Sequence, residues 1–487
     1  MKRGFLLTAK AKRELASPAN ASKTVTKQMT RASPLADTSC SQYVVPAFAR
    51  FIEFTDYYYV VSADEMPDDI FSMGMSDGNE LMKKTNEMMS AWGLTADDLK
   101  GMSLASVPDE NDPVPFAGGW SQCLLSGYLK RRLGSISGFP RPLKETEDKA
   151  YNISSAPGKG LGMFASRKIK MGDLTADERP LMVVPLVPVG LSVAPVREGM
   201  TKEEKNQAIQ DHSEGITRRV FEFMHEESRK KFMELHNSHT DDGSGPTMGV
   251  IRTNGYGLGD ELKDETGTVE LLSKSSPDEK LKKMIGKYTS VYNMLSRVNH
   301  SCSPNTHRKF YMSSFSMQLR AARDIEEGEE ILTTYTEVLL PAAERAKELA
   351  SYGIQCTCRA CLDCTKSDPI RAAVSNRPAV IVPMIQQRGM RPDAWIDPAV
   401  EILAKIEEEE LRGSSAYHKT LHQLFNAYVH QNDEKKALMY GEKLWFAALA
   451  AGEKQLETFR NAELMKKSPQ WLVAGMTRGI RFVQSFI

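Results

Sequence analysis

Residues 297–305 read Arg297-Val298-Asn299-His300-Ser301-Cys302-Ser303-Pro304-Asn305. Asn299 and His300 offer donors and acceptors at one point of the backbone, which suits a ligand or a capped turn. Ser303-Pro304-Asn305 favours the turn, so the string alone leaves both open. Downstream, Gly328-Glu329-Glu330-Ile331-Leu332-Thr333-Thr334-Tyr335 is an acidic turn feeding a strand that ends in tyrosine. A strand-end tyrosine is usually a core or edge aromatic. Upstream lies Pro157-Gly158-Lys159-Gly160-Leu161-Gly162-Met163-Phe164. Its glycines permit positive φ and close backbone approach. No Gly-Lys-Ser/Thr and no helix follows, so this is not a phosphate loop, and alone it reads as a tight turn.

The fourth string is Tyr352-Gly353-Ile354-Gln355-Cys356-Thr357-Cys358-Arg359-Ala360-Cys361-Leu362-Asp363-Cys364. Cys-x-Cys-x-x-Cys gathers three thiolates in one compact turn, the donor set of tetrahedral zinc. Left as exposed free thiols they would be a redox liability. Structural zinc needs a fourth ligand, and both the local Cys364 and the distant Cys302 are available.

The 487 residues are 41% hydrophobic and 26% charged, ordinary values for a globular chain of two to four domains. Lys plus Arg and Asp plus Glu are both 63, so no global field draws in nucleic acid or an anionic membrane. No direct nucleic-acid site is evident. Seven cysteines are too few for a disulfide scaffold of this length. No apolar run is long enough to span a membrane. Residues 1–36 form a basic tail, with Lys2, Arg3, Lys10, Lys12, Arg13, Lys23, Lys27 and Arg31 against the single Glu14. It fits a mitochondrial transit peptide, a nuclear-import tail or a solvated arm, the last being the commonest use of such composition.

Residues 37–150 carry no catalytic constellation. Val44–Phe54 and Tyr57–Val61 read as strands, and Asn79–Gly93 has helical spacing through Leu81, Met88, Met89 and Trp92. Gly160–Ile169 and Leu174–Val184 read as strands around Met171-Gly172-Asp173. Residues 200–240 turn helical, with Val220, Phe223, Met224, Phe232 and Leu235 at spacings of three and four. A loop at Asp241–Gly249 closes this insertion, and Asn254-Gly255 suggests a type I′ turn. Arg308–Leu319 and Glu330–Thr334 read as further strands. Beyond Pro369 the pattern is helical, with helices at Tyr417–Val429, Glu434–Ala451 and Leu456–Met465. Ala427, Tyr428, Asn432, Ala437 and Tyr440 suggest a single tetratricopeptide-like unit.

In this order and spacing the four strings resemble a SET domain followed by a cysteine-rich post-SET segment. The nearest likeness is to the SET/MYND (SMYD) lysine methyltransferases and their fungal relatives. Gly160-Leu161-Gly162-Met163-Phe164-Ala165, Asn299 to Asn305, Gly328 to Tyr335 and the run Cys356, Cys358, Cys361 match that family's motifs. The resemblance spans residues 151–365. It implies an α+β fold of short strands: a SET domain at 151–350 with a helical insertion at about 186–250, then a zinc segment at 351–366. An all-helical domain at 375–487 follows. The family's MYND finger is missing, because residues 186–250 hold no cysteine. Ile354 replaces the phenylalanine that often stacks on the cofactor's adenine.

The resemblance implies S-adenosylmethionine bound by Lys159, Gly160, Leu161, Gly162, Met163, Asn254, Asn299, His300 and Ile354. It implies Tyr335 as the catalytic residue, Tyr256 and Tyr352 as the lysine channel, and structural zinc on Cys302, Cys356, Cys358 and Cys361. Cys302 is preferred to Cys364 because it ties the zinc segment to the cofactor motif, as in the family. The expected activity is methylation of protein lysine, on histones or other proteins, by a monomer in the nucleus or cytoplasm. The alternative is an inactive SET-fold scaffold.

Overall fold

Three strands, at Ser121–Ser126, Met182–Pro185 and Tyr288–Val291, are buried on both faces at once, and a helical insertion makes that feasible. In the computed structural model, residues 102–108, 119–144, 149–186, 197, 199–263, 286–377 and 394–474 are described. The readings for residues 1–36, 44–54, 57–61 and 79–93 lie outside them. Strands β1 (Met102–Val107), β2 (Ser121–Ser126), β6 (Met182–Pro185), β8 (Tyr288–Val291) and β7 (Tyr256–Gly257) form a sheet in the order β1-β2-β6-β8-β7. Leu124, Met182 and Val184 pack on one face against Ile209, Val220, Phe232 and Met248 of the insertion. Cys123, Leu125 and Val183 pack on the other face, in the core with Met163, Ile169 and Phe310. The insertion therefore covers a sheet face that would otherwise meet water. Its helices are α2 (Lys202–Glu222), opened by a capping box between Thr201 and Glu204, α3 (Glu226–Met233) and α4 (Pro246–Asn254).

The described part of residues 37–150 joins this sheet. β2 pairs in parallel with β6, Gln122 opposite Met182 and Cys123 opposite Val183, and helix α1 (Gly127–Gly134) follows with Ser126 as its N-cap.

Two expected strands are each two. Leu174–Val184 splits into β5 (Leu174–Glu178) and β6, which belong to different sheets. Pro180 between them has no N–H to continue a ladder. Arg308–Leu319 is a hairpin of β10 (Thr306–Tyr311) and β11 (Ser316–Ala321), turned at Phe315 with φ 51°. That left-handed backbone is unfavourable for phenylalanine and is held by full burial against Phe310 and Phe139. The second sheet is β10-β11-β5, and the third is β3-β4-β12-β9, formed by β3 (Tyr151–Ala156), β4 (Gly160–Ala165), β12 (Glu330–Thr333) and β9 (Asn299–His300).

Beyond Tyr335 the described chain is helical: α5 (Ala342–Leu349), α6 (Cys364–Ser375), α7 (Asp397–Glu408), α8 (Ser415–His430) and α9 (Glu434–Ala450). α8 and α9 form a helical hairpin whose Tyr428 and Tyr440 rings stack at 5.4 Å. The expected helix at Leu456–Met465 is a 3₁₀ turn, Glu457–Phe459, and a short helix, Ala462–Lys466. Among the described residues, no helix is long and apolar enough to cross a membrane.

Candidate active site

Three of the four sequence strings become neighbours in the third sheet. β12 runs antiparallel to β4, with Ile331 opposite Met163, and parallel to β9, with Leu332 opposite Asn299 and Thr333 opposite His300. Asn299 Nδ2 donates to Leu161 O at 3.1 Å and to Glu330 Oε1 at 2.8 Å. Both donors of its amide are thus spent inside the protein, tying the glycine strand to the acidic one. A Cβ on Gly162 would stand 2.9 Å from both Asn299 Nδ2 and Glu330 Oε1, so glycine is what lets these strands close. Gly160, at φ +80°, needs its glycine for the turn itself. Lys159 bridges to Glu330 Oε2 at 2.7 Å on the surface. Leu161 is exposed, whereas Met163 is wholly buried and offers a ligand only its backbone.

Tyr335 follows β12 directly. Its N–H donates to His300 Nδ1 at 3.0 Å, and its hydroxyl donates to Val298 O at 2.7 Å. Because Nδ1 accepts, the ring proton is assigned to Nε2, which faces Cys302 Sγ at 3.3 Å. Burial pulls His300 down to about 4, so the ring is neutral at physiological pH. Tyr335 packs between His300 and Tyr352, with ring centroids at 5.4 and 5.3 Å. Tyr256 donates its hydroxyl to Leu295 O at 2.7 Å.

Two tyrosine hydroxyls therefore rest on carbonyls of one short segment, Leu295–Val298. Glu178 holds that segment. Its carboxylate accepts from the backbone N–H groups of Asn293, Met294 and Leu295 at 2.8–3.1 Å. Burial pushes Glu178 above the ordinary carboxylate range, against the pull of those three donors.

Asn254-Gly255 is not a type I′ turn. Asn254 ends α4, where its Nδ2 donates to His236 O and Val250 O, and Gly255 is extended at φ −73°. A pocket open to solvent is lined by Asn254, Tyr256, Tyr335 and Tyr352 together with Ser296 and Arg308. The turn at Gly160–Met163 and Ile354 do not line it; Ile354 is half-buried just beyond the Ala350–Tyr352 turn. The sequence gives Glu178, Ser296 and Arg308 no site role, since nothing local distinguishes them. Only the packing of β10 against β12, with Thr306 Oγ1 donating to Leu332 O, brings Arg308 to Thr334.

The Sγ atoms of Cys302, Cys356, Cys358 and Cys361 all lie within 4.8 Å of one another, and Cys364 is not among them. Cys302 Sγ stands 4.0 Å from that of Cys356 and 3.5 Å from that of Cys361. These separations are too long for disulfides, and they match the roughly 3.8 Å between sulfurs on tetrahedral zinc. Hydrogen bonds from Cys302 and Cys356 draw Cys358 well below the ordinary thiol value, and the same crowding pushes Cys302 well above it. Two fully buried guanidiniums stand close by. Arg345 Nη2 is 3.7 Å from Cys361 Sγ with its Nε unpartnered, and Arg371 Nη1 donates to Cys302 O at 2.9 Å. A zinc tetrathiolate carries two negative charges, and such cations fit beside it. The donor set and its surroundings fit structural zinc.

The SET domain family matches residues 160–336. The chain is 29% identical over 216 residues to histone-lysine N-methyltransferase set5 of Schizosaccharomyces pombe, covering 44% of this chain and 51% of that protein. It is 36% identical over 93 residues to N-lysine methyltransferase SMYD2-B of Danio rerio, covering 18% and 20%. With human histone-lysine N-methyltransferase SMYD3 it shares 40% over 72 residues, covering 15% and 16%. The chain thus spans about half the length of set5 and less of the others. A solved structure, the SET domain of LSMT bound to lysine and AdoHcy, aligns over 69% of this chain and 88% of its own. Identity there is 15% and the TM-score 0.21, too loose to place any residue. Three motifs brought side by side in one sheet, a four-cysteine centre joined to them through His300, and the family match make residues 160–336 a SET-domain region, similar to fungal set5 and to the SMYD lysine methyltransferases.

Proposed function

We infer that the chain is an S-adenosylmethionine-dependent protein-lysine N-methyltransferase. The observation that carries this reading is the convergence of Tyr335, Tyr352 and Tyr256 on one pocket, with Tyr335 directly following the strand that pairs with both Asn299 and the glycine strand. Bound S-adenosylmethionine supplies an electrophilic methyl group on sulfur. A lysine amine held here would take that methyl group by displacement, with sulfur leaving as the thioether and a proton passing to solvent. In-line geometry is what such a displacement requires of the protein.

Lys159, Gly160, Leu161, Gly162 and Met163 would cradle the donor with Asn254, Asn299, His300 and Ile354, several of them through backbone groups. Tyr335, with its hydroxyl fixed on Val298 O and its ring between His300 and Tyr352, would align the amine. Tyr256 and Tyr352 would wall the aliphatic stem. Cys302, Cys356, Cys358 and Cys361 would hold zinc that orders the segment carrying Tyr352 and Ile354. The substrate is then a lysine-bearing tail or loop of a histone or other protein, and the enzyme acts as a monomer in the nucleus or cytoplasm.

Calorimetry with S-adenosylhomocysteine and transfer of tritiated methyl onto core histones and lysate proteins test this. Tyr335→Phe is expected to bind S-adenosylhomocysteine normally, to lose about 1 kcal/mol of stability and to cut transfer by about 10²-fold. No binding and no labelled protein would leave the scaffold reading in its place.

A further inference from the structure

The pocket around Tyr335 contains a charge that the reading above leaves unused. Arg308 lies on β10, and its Nη1 donates to Thr334 O at 2.8 Å and to Thr333 Oγ1 at 3.1 Å. Its guanidinium carbon stands 5.1 Å from the centre of the Tyr256 ring. Two hydrogen bonds and an aromatic face hold it where it is. Among the described residues no carboxylate pairs with it. The carboxylate behind this wall, Glu178, is occupied by three backbone N–H groups. The other titratable groups here carry no charge at neutral pH. They are the phenols Tyr256, Tyr335 and Tyr352 in the wall and Tyr292 behind Tyr256. The described lining of the pocket therefore holds one cation and no carboxylate.

Resting on the methyltransferase reading, we propose that Arg308 is a specificity-determining residue, a fixed cation that turns away a protonated amine and admits the uncharged one. Only the free amine has the lone pair that the displacement uses, and near neutral pH about one lysine in a thousand has it. Arg308 lines the pocket together with Tyr256, Tyr335 and Tyr352, so an amine held among those rings stays within one screening length, about 8 Å, of its charge. At an effective dielectric constant near 20 and about 7 Å, like charges disfavour the ammonium form about fifty-fold. The same repulsion speeds departure of the charged, methylated product. Arg308 makes the pocket a proton filter, which an aromatic channel alone cannot be, because aromatic faces attract cations.

The test uses two S-adenosylhomocysteine derivatives bearing short tails of equal length at the methyl position, one ending in a primary amine and one in methyl. Calorimetry on the intact protein follows both between about pH 6.5 and about pH 9.5. The methyl-tailed ligand should bind equally well throughout. The amine-tailed one should be much weaker at the acid end and gain as pH rises, until the two converge. In Arg308→Gln the gap at the acid end should shrink at least tenfold, while Arg308→Lys, which keeps the charge, should retain it. A purely structural role would weaken both ligands alike in Arg308→Gln and leave the gap intact, which overturns the proposal. Should Arg308→Gln fail to fold, wild-type binding of the amine-tailed ligand that is pH-independent or tighter than the methyl-tailed one overturns it as well. If untailed S-adenosylhomocysteine fails to bind wild-type protein, the methyltransferase reading itself falls, and this proposal with it.

Discussion

Gly255 has an unremarked backbone, φ −73° and ψ 137°, yet no larger residue fits there. A Cβ would stand 2.6 Å from Ile251 O and 2.6 Å from Thr289 Oγ1, and the carbonyl cannot retreat without unwinding the last turn of α4. Gly255→Ala is therefore expected to cost about 1–3 kcal/mol, read as a lower urea midpoint at unchanged slope. It should also weaken S-adenosylhomocysteine binding, because Asn254 and Tyr256 flank the strained position. The glycine was legible but its use was not. Asn-Gly in sequence signals positive φ, whereas here glycine serves close approach, and that depends on β8 lying against the end of α4. Arg308 was illegible for a similar reason: a lone arginine in a strand is usually solvated, and only tertiary register turns it inward. Tyr335, Asn299 and the cysteines were legible because their chemistry is concentrated in short, ordered strings.

The four-cysteine centre is built from a two-residue strand end and a single turn, and neither would keep its shape alone. Cys302 follows β9, while Cys356 and Cys358 precede the turn at Arg359–Leu362 that carries Cys361. Cys364 already begins α6 and stands outside the group. Cys302→Ser is expected to lose the metal and, through His300, to disturb the N–H···Nδ1 bond that positions Tyr335. Cys364→Ser should keep full metal content. Zinc measured by mass spectrometry on the purified variants decides between them, and the reverse pattern would make the site a local four-cysteine knot. Elements proved less legible than motifs. Leu174–Val184 reads as one strand, and the charged run Asp177-Glu178-Arg179 with the missing N–H of Pro180 divides it between two sheets. Ser313-Ser314-Phe315 carries no glycine to announce the hairpin that Phe315 makes through burial.

One guanidinium joins the motif region to the helices beyond it. Arg371 on α6 reaches Cys302 O, Ser303 Oγ, Ser367 Oγ and Val338 O, and pairs with Glu409 Oε1 at 3.1 Å just past α7. Both partners of that ion pair are buried, so removing one strands the other. Arg371→Met is expected to cost about 3–5 kcal/mol, and scanning calorimetry should then show the helices melting ahead of the sheets. A single unchanged transition would mean that the apolar contacts of α6 and α7 suffice to hold the two parts together. At this scale the helical end was legible from periodicity, but its anchorage was not, because it runs through backbone carbonyls that have no sequence signature. The pairing of β4 with β12 also bears on how the molecule is made. Ile331 and Met163 are neighbours in the sheet, yet a ribosome adding 5–20 residues per second needs roughly ten to thirty seconds to travel from one to the other. Through that interval the outer edge of β4 has no partner, an open invitation to stray strands. A chaperone that shields nascent edges is therefore expected to raise the yield of active protein more than one that acts only after release.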